Sequence, residues 1–290
     1  MSSLLGRASS MLRISLSAVG TIIVLGGQVR AETLAQRGSY LVNTIMTCGN
    51  CHTPKGPNGD IADKAFSGGL SWDEAAFKVT AANITPDNDT GIGKWSDTDI
   101  KKLLVSGKRP NGVPVAAIMP TGFYNILTPR DLDAISVYLH TVKPVANKVQ
   151  DPSYKIDAAP QIFPGAEKPL PKSAMRDKVK RGFYLATIGH CMECHTPMVK
   201  GQRDFVNDLG KGGFEFVGPW GKSASSNITS SKTKGIGAWT DAEIKRAITK
   251  GIGRNGNKLK PPMGYGYYAG MTNTDVNALV AWLRTVPAKQ

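Results

Sequence analysis

"TCGNCHTP", Thr47–Pro54, and "HCMECHTP", His190–Pro197, are two nearly identical strings set about half a chain apart. Each places two residues between a pair of cysteines and a histidine directly after the second. Together they use all four cysteines of the 290-residue chain: Cys48 and Cys51, then Cys191 and Cys194. Paired cysteines can close a disulfide, act as a redox dithiol or hold zinc. None of these explains why a histidine follows the second cysteine in both strings. Covalent haem attachment does: the thiols add to the two vinyl groups as thioethers, and the adjacent imidazole reaches iron from the same side. The strings therefore predict two covalently bound haem c groups, with His52 and His195 as axial ligands.

The strings are landmarks of a longer internal repeat. Arg37-Gly38-Ser39-Tyr40-Leu41 recurs as Arg181-Gly182-Phe183-Tyr184-Leu185, and Gly68-Gly69 as Gly212-Gly213. Asn83-Ile84-Thr85 recurs as Asn227-Ile228-Thr229, and "GIGKWSD" from Gly91 as "GIGAWTD" from Gly235. The offset is 144 residues nearly throughout and slips to 143 around the cysteines. Two homologous modules are expected, over 32–142 and 173–290. Residues 143–172 between them hold six prolines and no helical period. That composition reads as an extended, semi-stiff linker on the surface that leaves the two cores separate.

The repeat serves as an internal alignment for the second axial ligand. Of the methionines beyond residue 31, only Met119 and Met263 stand 144 residues apart. They occupy similar settings, Ile118-Met119-Pro120 and Pro262-Met263-Gly264, in loops preceded by the turn signals Asn111-Gly112 and Asn255-Gly256. Both are expected to ligate iron; the other methionines read as core filler. His140 is matched by Arg284 and His190 by Thr47, so neither histidine passes the same test.

The N-terminus has its own character. Arg7 and Arg13, an apolar run from Ile14 to Gly26, and Val29-Arg30-Ala31 make up a secretory signal peptide over 1–31. The apolar run is shorter than the roughly 20 residues a membrane span needs. A hydrophobic content of 41% suits an exported, soluble globular protein, expected in the periplasm. Removing the leader takes three arginines and no acids, which lowers the formal charge from +14 to +11. Such a balance favours acidic redox-partner proteins or an anionic membrane surface. Nucleic acid is set aside, because the lysines are dispersed and no recognition motif is present.

The apolar spacing is helical. A helix is expected from Glu32 into the first string and from Met175 into the second. Ser96-Asp97-Thr98-Asp99 and Thr240-Asp241-Ala242-Glu243 read as capping boxes, with Gly107 and Gly251 as stops. The last helix of each half carries one apolar face: Leu132, Ile135, Tyr138, Leu139 and Val142, then Val276, Leu279, Trp282, Leu283 and Val286. The expected fold class is all-α.

Helix, CxxCH, loop, helix, methionine loop and helix, in this order, resemble class I cytochromes c. The fuller patterns resemble the tandem-module cytochrome subunits of bacterial periplasmic dehydrogenases, such as those acting on alcohol and gluconate. The resemblance implies that Gly38 and Gly182 let the first helix of each half cross closely over the last. It also implies that Trp95 and Trp239 stand near haem propionates, although ordinary core tryptophans would fit as well. The two Asn-Ile-Thr triplets match the glycosylation sequon, but their recurrence favours a structural loop. Histidine plus methionine fills both axial positions and suits one-electron transfer. The function expected is a periplasmic dihaem carrier, not itself an enzyme, between a dehydrogenase and a downstream cytochrome or oxidase. The alternative is a dihaem enzyme of the peroxidase or thiosulfate-oxidising type, which would need one open haem.

Overall fold

The computed structural model describes residues 31–57, 59–156, 160–218 and 221–290. The expected signal peptide lies outside the described residues except for Ala31. Each half is framed by a pair of crossing helices. In the first, α1 (Leu34–Tyr40) packs on α4 (Pro129–Leu139); in the second, α5 (Lys178–Ile188) packs on α9 (Asn273–Leu283). The crossings depend on glycine. A Cβ at Gly38 would lie 1.9 Å from the Ala134 carbonyl oxygen, and one at Gly182 would lie 2.0 Å from that of Ala278. A third helix in each half, α3 (Asp97–Ser106) or α7 (Asp241–Lys250), starts at a complete capping box on Ser96 or Thr240. Each ends at a left-handed glycine, Gly107 at φ 66° or Gly251 at φ 64°.

The slip in the offset has a structural cause. In the second half the Leu185 carbonyl accepts from Gly189, four residues on, at 2.9 Å. In the first half the equivalent Leu41 carbonyl accepts from Met46, five residues on, at 2.8 Å. The one extra residue before Cys48 is thus absorbed as a π-helical turn over Leu41–Ile45. It keeps both cysteine strings in the same relation to the helix before them.

The fold is not all-α. Among the described residues, four small antiparallel sheets accompany the helices. β1 (Lys55–Gly56) pairs with β2 (Gly59–Asp60), and at the corresponding place β6 (Met198–Val199) pairs with β7 (Gln202–Arg203). β3 (Ser71–Asp73) pairs with β4 (Phe77–Thr80), as β8 (Glu215–Gly218) does with β9 (Gly221–Ala224). A third strand, β5 (Ser153–Tyr154), joins the outer edge of β4, placing Tyr154 opposite Phe77. Strands of two to four residues show no readable alternation, which is why the helical period was the only signal in the sequence.

The linker also departs from expectation. It is extended, but Phe163 and Ala166 are buried at 2% and 0% exposure, within a single apolar core that draws on both halves. Phe163 stacks on Phe123 at 5.1 Å and meets Phe205 edge-on at 5.0 Å, so one linker ring joins a residue of each half. The cores merge because the linker contributes side chains to them instead of spacing them apart.

The halves are also tied by a reciprocal polar brace. Arg37 pairs with Asp131 at 2.8 Å, and Arg181 with Asp275 at 2.6 Å, each within its own half. Tyr184 of the second half then donates to Asp131 at 2.5 Å, and Tyr40 of the first donates to Asp275 at 2.6 Å. Each tyrosine oxygen also accepts a backbone N–H at the start of the opposite helix, from Thr128 to Tyr184 and from Thr272 to Tyr40. Every member recurs at the 144-residue offset, so the two halves face each other about an approximate twofold axis. The recurrence is legible in the sequence, but its crossing over is not.

Candidate haem-binding sites

Each cysteine pair occupies one short helical turn, α2 (Cys48–His52) or α6 (Cys191–Cys194). The turns are entered through Thr47 at φ 49° and His190 at φ 41°, a left-handed conformation unusual outside glycine. This kink ends the preceding helix and starts a new turn, on which cysteines three residues apart share a face. All four thiols are free and partly buried. Burial pushes Cys48 and Cys191 up to about 12, and burial followed by the nearby Glu193 pushes Cys51 up to about 11. Cys194 is raised by the same two causes in the same order. The thiols are neutral, as befits groups held against an apolar core.

The histidines are oriented identically. Nδ1 of His52 lies 2.7 Å from the Ala82 carbonyl oxygen, and Nδ1 of His195 lies 2.7 Å from that of Ser226. A carbonyl only accepts, so Nδ1 carries the proton and Nε2 keeps its lone pair for a metal. Burial lowers both histidine pKa values, the hydrogen bond opposing it, and the rings are neutral as ligation requires. The backbone is clamped as well: Gly68 donates to the His52 carbonyl at 2.9 Å and Gly212 to that of His195 at 2.8 Å. The orienting carbonyls of Ala82 and Ser226 were not picked out from the sequence. Their only signal is that each directly precedes a recurring Asn-Ile-Thr triplet.

Those triplets prove structural. Asn83 is 3% exposed, and its side-chain nitrogen donates to the Val145 carbonyl at 2.8 Å; Asn227 donates likewise to that of Lys289 at 2.9 Å. They tie the loop behind each histidine to the segment that follows the last helix. Trp95 and Trp239 pack half-buried against the core.

Met119 and Met263 both lie partly buried in the loops between the third and last helices of their halves. Each loop is pinned by one backbone bridge, Lys108 to Pro114 or Ile252 to Lys258. Five residues beyond each methionine stands a tyrosine, Tyr124 or Tyr268, whose hydroxyl pKa is raised, chiefly by burial and further by the cysteines of its own half. Next to Met263, a Cβ at Gly264 would meet the Thr47 side chain at 3.7 Å, so this loop lies against the cysteine turn of the first half. Met46 and Met192 are core side chains at 2% and 1% exposure. His140 stands 3.4 Å from Asp97 and His190 3.1 Å from Glu193, each beside a carboxylate.

The segments that lead into the two cysteine turns are neighbours: a Cβ at Gly189 would lie 3.2 Å from the Ile45 carbonyl oxygen. Tyr267, in the short helix α8 (Tyr265–Tyr268) of the second half, reaches the first half and donates to Asp60. A Cβ at Gly49 would meet that tyrosine's ring at 3.6 Å. Free paired thiols and a proton-fixed imidazole fit a covalently attached haem in each half.

Residues 179–287 match the cytochrome c family model, so the second half carries a cytochrome c domain with covalently bound haem c. Along most of its length the chain is similar to cytochrome subunits of dehydrogenases. It is 40% identical to the fructose dehydrogenase cytochrome subunit of Gluconobacter japonicus over 95% of this chain and 60% of that protein. It is 29% identical to the cytochrome c subunit of the quinone alcohol dehydrogenase of Gluconobacter oxydans, over 81% of this chain and 51% of that one. A dihaem cytochrome c-type protein of Cereibacter sphaeroides is 27% identical, over 83% of this chain and 82% of its own length. The chain spans only about half to three-fifths of the two dehydrogenase subunits, at 51% and 60%.

Proposed function

We propose that this chain is a dihaem cytochrome c that passes single electrons from a periplasmic dehydrogenase to a downstream cytochrome or oxidase. The observation that carries the reading is the duplicated histidine geometry: behind each free cysteine pair, one imidazole is turned by a backbone carbonyl so that Nε2 faces away from its hydrogen bond. In this reading 32–142 and 173–290 are two cytochrome modules, 143–172 joins them, and 1–31 directs export. Cys48, Cys51, Cys191 and Cys194 would hold the two haem groups through thioether bonds, and His52, Met119, His195 and Met263 would ligate their irons. A bound haem supplies a one-electron couple, and a thioether ligand favours its reduced state.

The chain's own residues do the rest. The Ala82 and Ser226 carbonyls keep each imidazole neutral and fixed. The shared core and the brace hold the two halves together. With a histidine and a methionine both bound, neither iron would have a place for substrate, and the dehydrogenase chemistry would belong to another subunit. Mass spectrometry of the protein matured with haem-attachment machinery tests this after acid–acetone extraction. Two retained haem additions are expected, and one or none would refute the dihaem reading. Met119→Ala and Met263→Ala should each remove about half of the ferric methionine–iron absorption band. Loss from one variant alone would leave a different ligand in the other half.

A further inference from the structure

The two cysteine strings agree at five of their eight positions. The three exchanges are Thr47 for His190, Gly49 for Met192 and Asn50 for Glu193. Two of them belong together: His190 Nδ1 stands 3.1 Å from Glu193 Oε2, with the side chains only 22% and 18% exposed. Met192 fills the core. The second string therefore carries a sheltered carboxylate, directly before Cys194, where the first carries an amide. Neither thioether attachment nor the orientation of His195 makes use of it.

By residue order this acid belongs to the second site alone. The fold brings it to bear on both. Gly189 approaches Ile45, and Tyr267 lies against Gly49 and donates to Asp60, so second-half residues stand against the first cysteine turn. The thiols of Cys51 and Cys194 are near enough for the charge of one to act on the other. Glu193 acts across the same contact. Beyond burial, which comes first in every case, its charge adds to the raised pKa of Cys51 and Tyr124 in the first half and of Cys194 and Tyr268 in its own. Cations are private to each turn instead. Lys55 of β1 opposes this effect at Cys51, and Arg203 of β7 opposes it at Cys194. Lys55 is paired with Asp60, whereas Arg203 covers the Phe214 ring at 3.8 Å and donates to the Thr196 carbonyl at 3.0 Å. Around Cys51 and Cys194 there is thus one acid in common and one cation apiece.

Uptake of one electron lowers the charge of a site by one, so a nearby carboxylate lowers its potential and a nearby cation raises it. A carboxylate felt at one site alone would make that site the weaker oxidant and bias the step between the two. We infer that Glu193 is a shared charge that lowers the potential of both haems together, so that an acid present in one string does not bias the step between them. Lys55 and Arg203 adjust one haem each. The inference rests on the function proposed above, which puts a one-electron couple at each turn. An unbiased step suits a relay, since the electron given up at one site is the one taken up at the other, in either direction.

The test is a spectroelectrochemical titration of the full-length holoprotein, with haem content measured separately by pyridine haemochrome. Glu193→Gln keeps the shape of the side chain and removes its charge. Both one-electron steps should move to higher potential, each by about three- to tenfold in its reduction equilibrium, or about 30 to 60 mV. Glu193→Asp keeps the charge and should leave both steps within about twofold of wild type. Lys55→Gln should move one step only, to lower potential. Lys55 lies on an exposed hairpin, so this variant tests the pattern even if Glu193→Gln misfolds. A shift confined to one step in Glu193→Gln would make the acid local, and a fall of both steps in Lys55→Gln would make every charge shared; either overturns the inference. Equal shifts in Glu193→Gln and Glu193→Asp would make the effect one of packing and overturn it as well. One haem or none per chain would refute the functional reading, whereas two haems with unmoved potentials in Glu193→Gln would sink this inference alone.

Discussion

The surface on which the two halves meet and the loops that carry their methionines have treated the same duplication in opposite ways. At the meeting surface every group recurs: Arg37 and Arg181, Tyr40 and Tyr184, Asp131 and Asp275. In the methionine loops, the exposed Val113 and Pro114 correspond to Asn257 and Lys258 in the repeat. Buried polar groups explain the first. Asp131 and Asp275 are 5% and 1% exposed, and an acid so placed needs every partner it has, so one change is costly unless its partners change too. Exposed loop positions carry no such constraint and were free to acquire different surfaces. The comparison teaches that the inner face sets the distance between two like sites, whereas the outer faces make them unlike.

The largest expected effect tests the inner face. Asp131→Ala strands Arg37 and the Tyr184 hydroxyl in the core and should cost about 3–5 kcal/mol of unfolding free energy. Asp275→Ala should cost less, because the arginine it strands, Arg181, is 30% exposed against 11% for Arg37. Urea titrations of both variants would show the order, and a larger loss at Asp275 would contradict the burial argument.

Next come the crossings. Gly38→Ala and Gly182→Ala each drive a methyl group into a backbone carbonyl, 1.9 Å and 2.0 Å away, so the helices must part. A loss of about 2–3 kcal/mol is expected from each, similar in the two halves. Thermal melts that move in only one variant would show that the halves do not share this packing.

The tyrosines make smaller contributions. Tyr40→Phe and Tyr184→Phe should each lose about 1–2 kcal/mol, the worth of a hydrogen bond to a carboxylate. Tyr40 adds a pH signature. Burial and then Asp275 push its pKa up to about 12, from 10.0. A raised phenol pKa means that the protonated form stabilises the fold, fully below pH 10 and less as pH rises towards 12. Tyr40→Phe should flatten that part of the alkaline stability curve; an unchanged difference from wild type between pH 9 and 12 would remove Tyr40 from the brace.

The smallest effects lie at the third helices, where Ser96→Ala and Thr240→Ala each delete one capping box. Both should cost about 1 kcal/mol, and equal shifts in denaturation midpoint would show that the outer divergence spares local helix signals.

Much of the molecule could be read from residue order alone because its signals are local. The CxxCH strings, the capping residues at Ser96 and Thr240, the glycine stops, and the apolar faces of α4 and α9 all act within one or two turns of chain. Repetition then singled out Met119 and Met263 without any contact being known. The sheets escaped because their strands are too short for a period, and the linker was misjudged because its prolines masked Phe163 and Ala166 as core residues. What only the tertiary structure decided are the relations across the repeat: which carbonyl turns each imidazole, which tyrosine meets which aspartate, and that one core serves both halves. Those depend on groups some 30 to 235 residues apart being held together. A sequence records such groups singly; only burial, by requiring each polar atom to find a partner, determines how they pair.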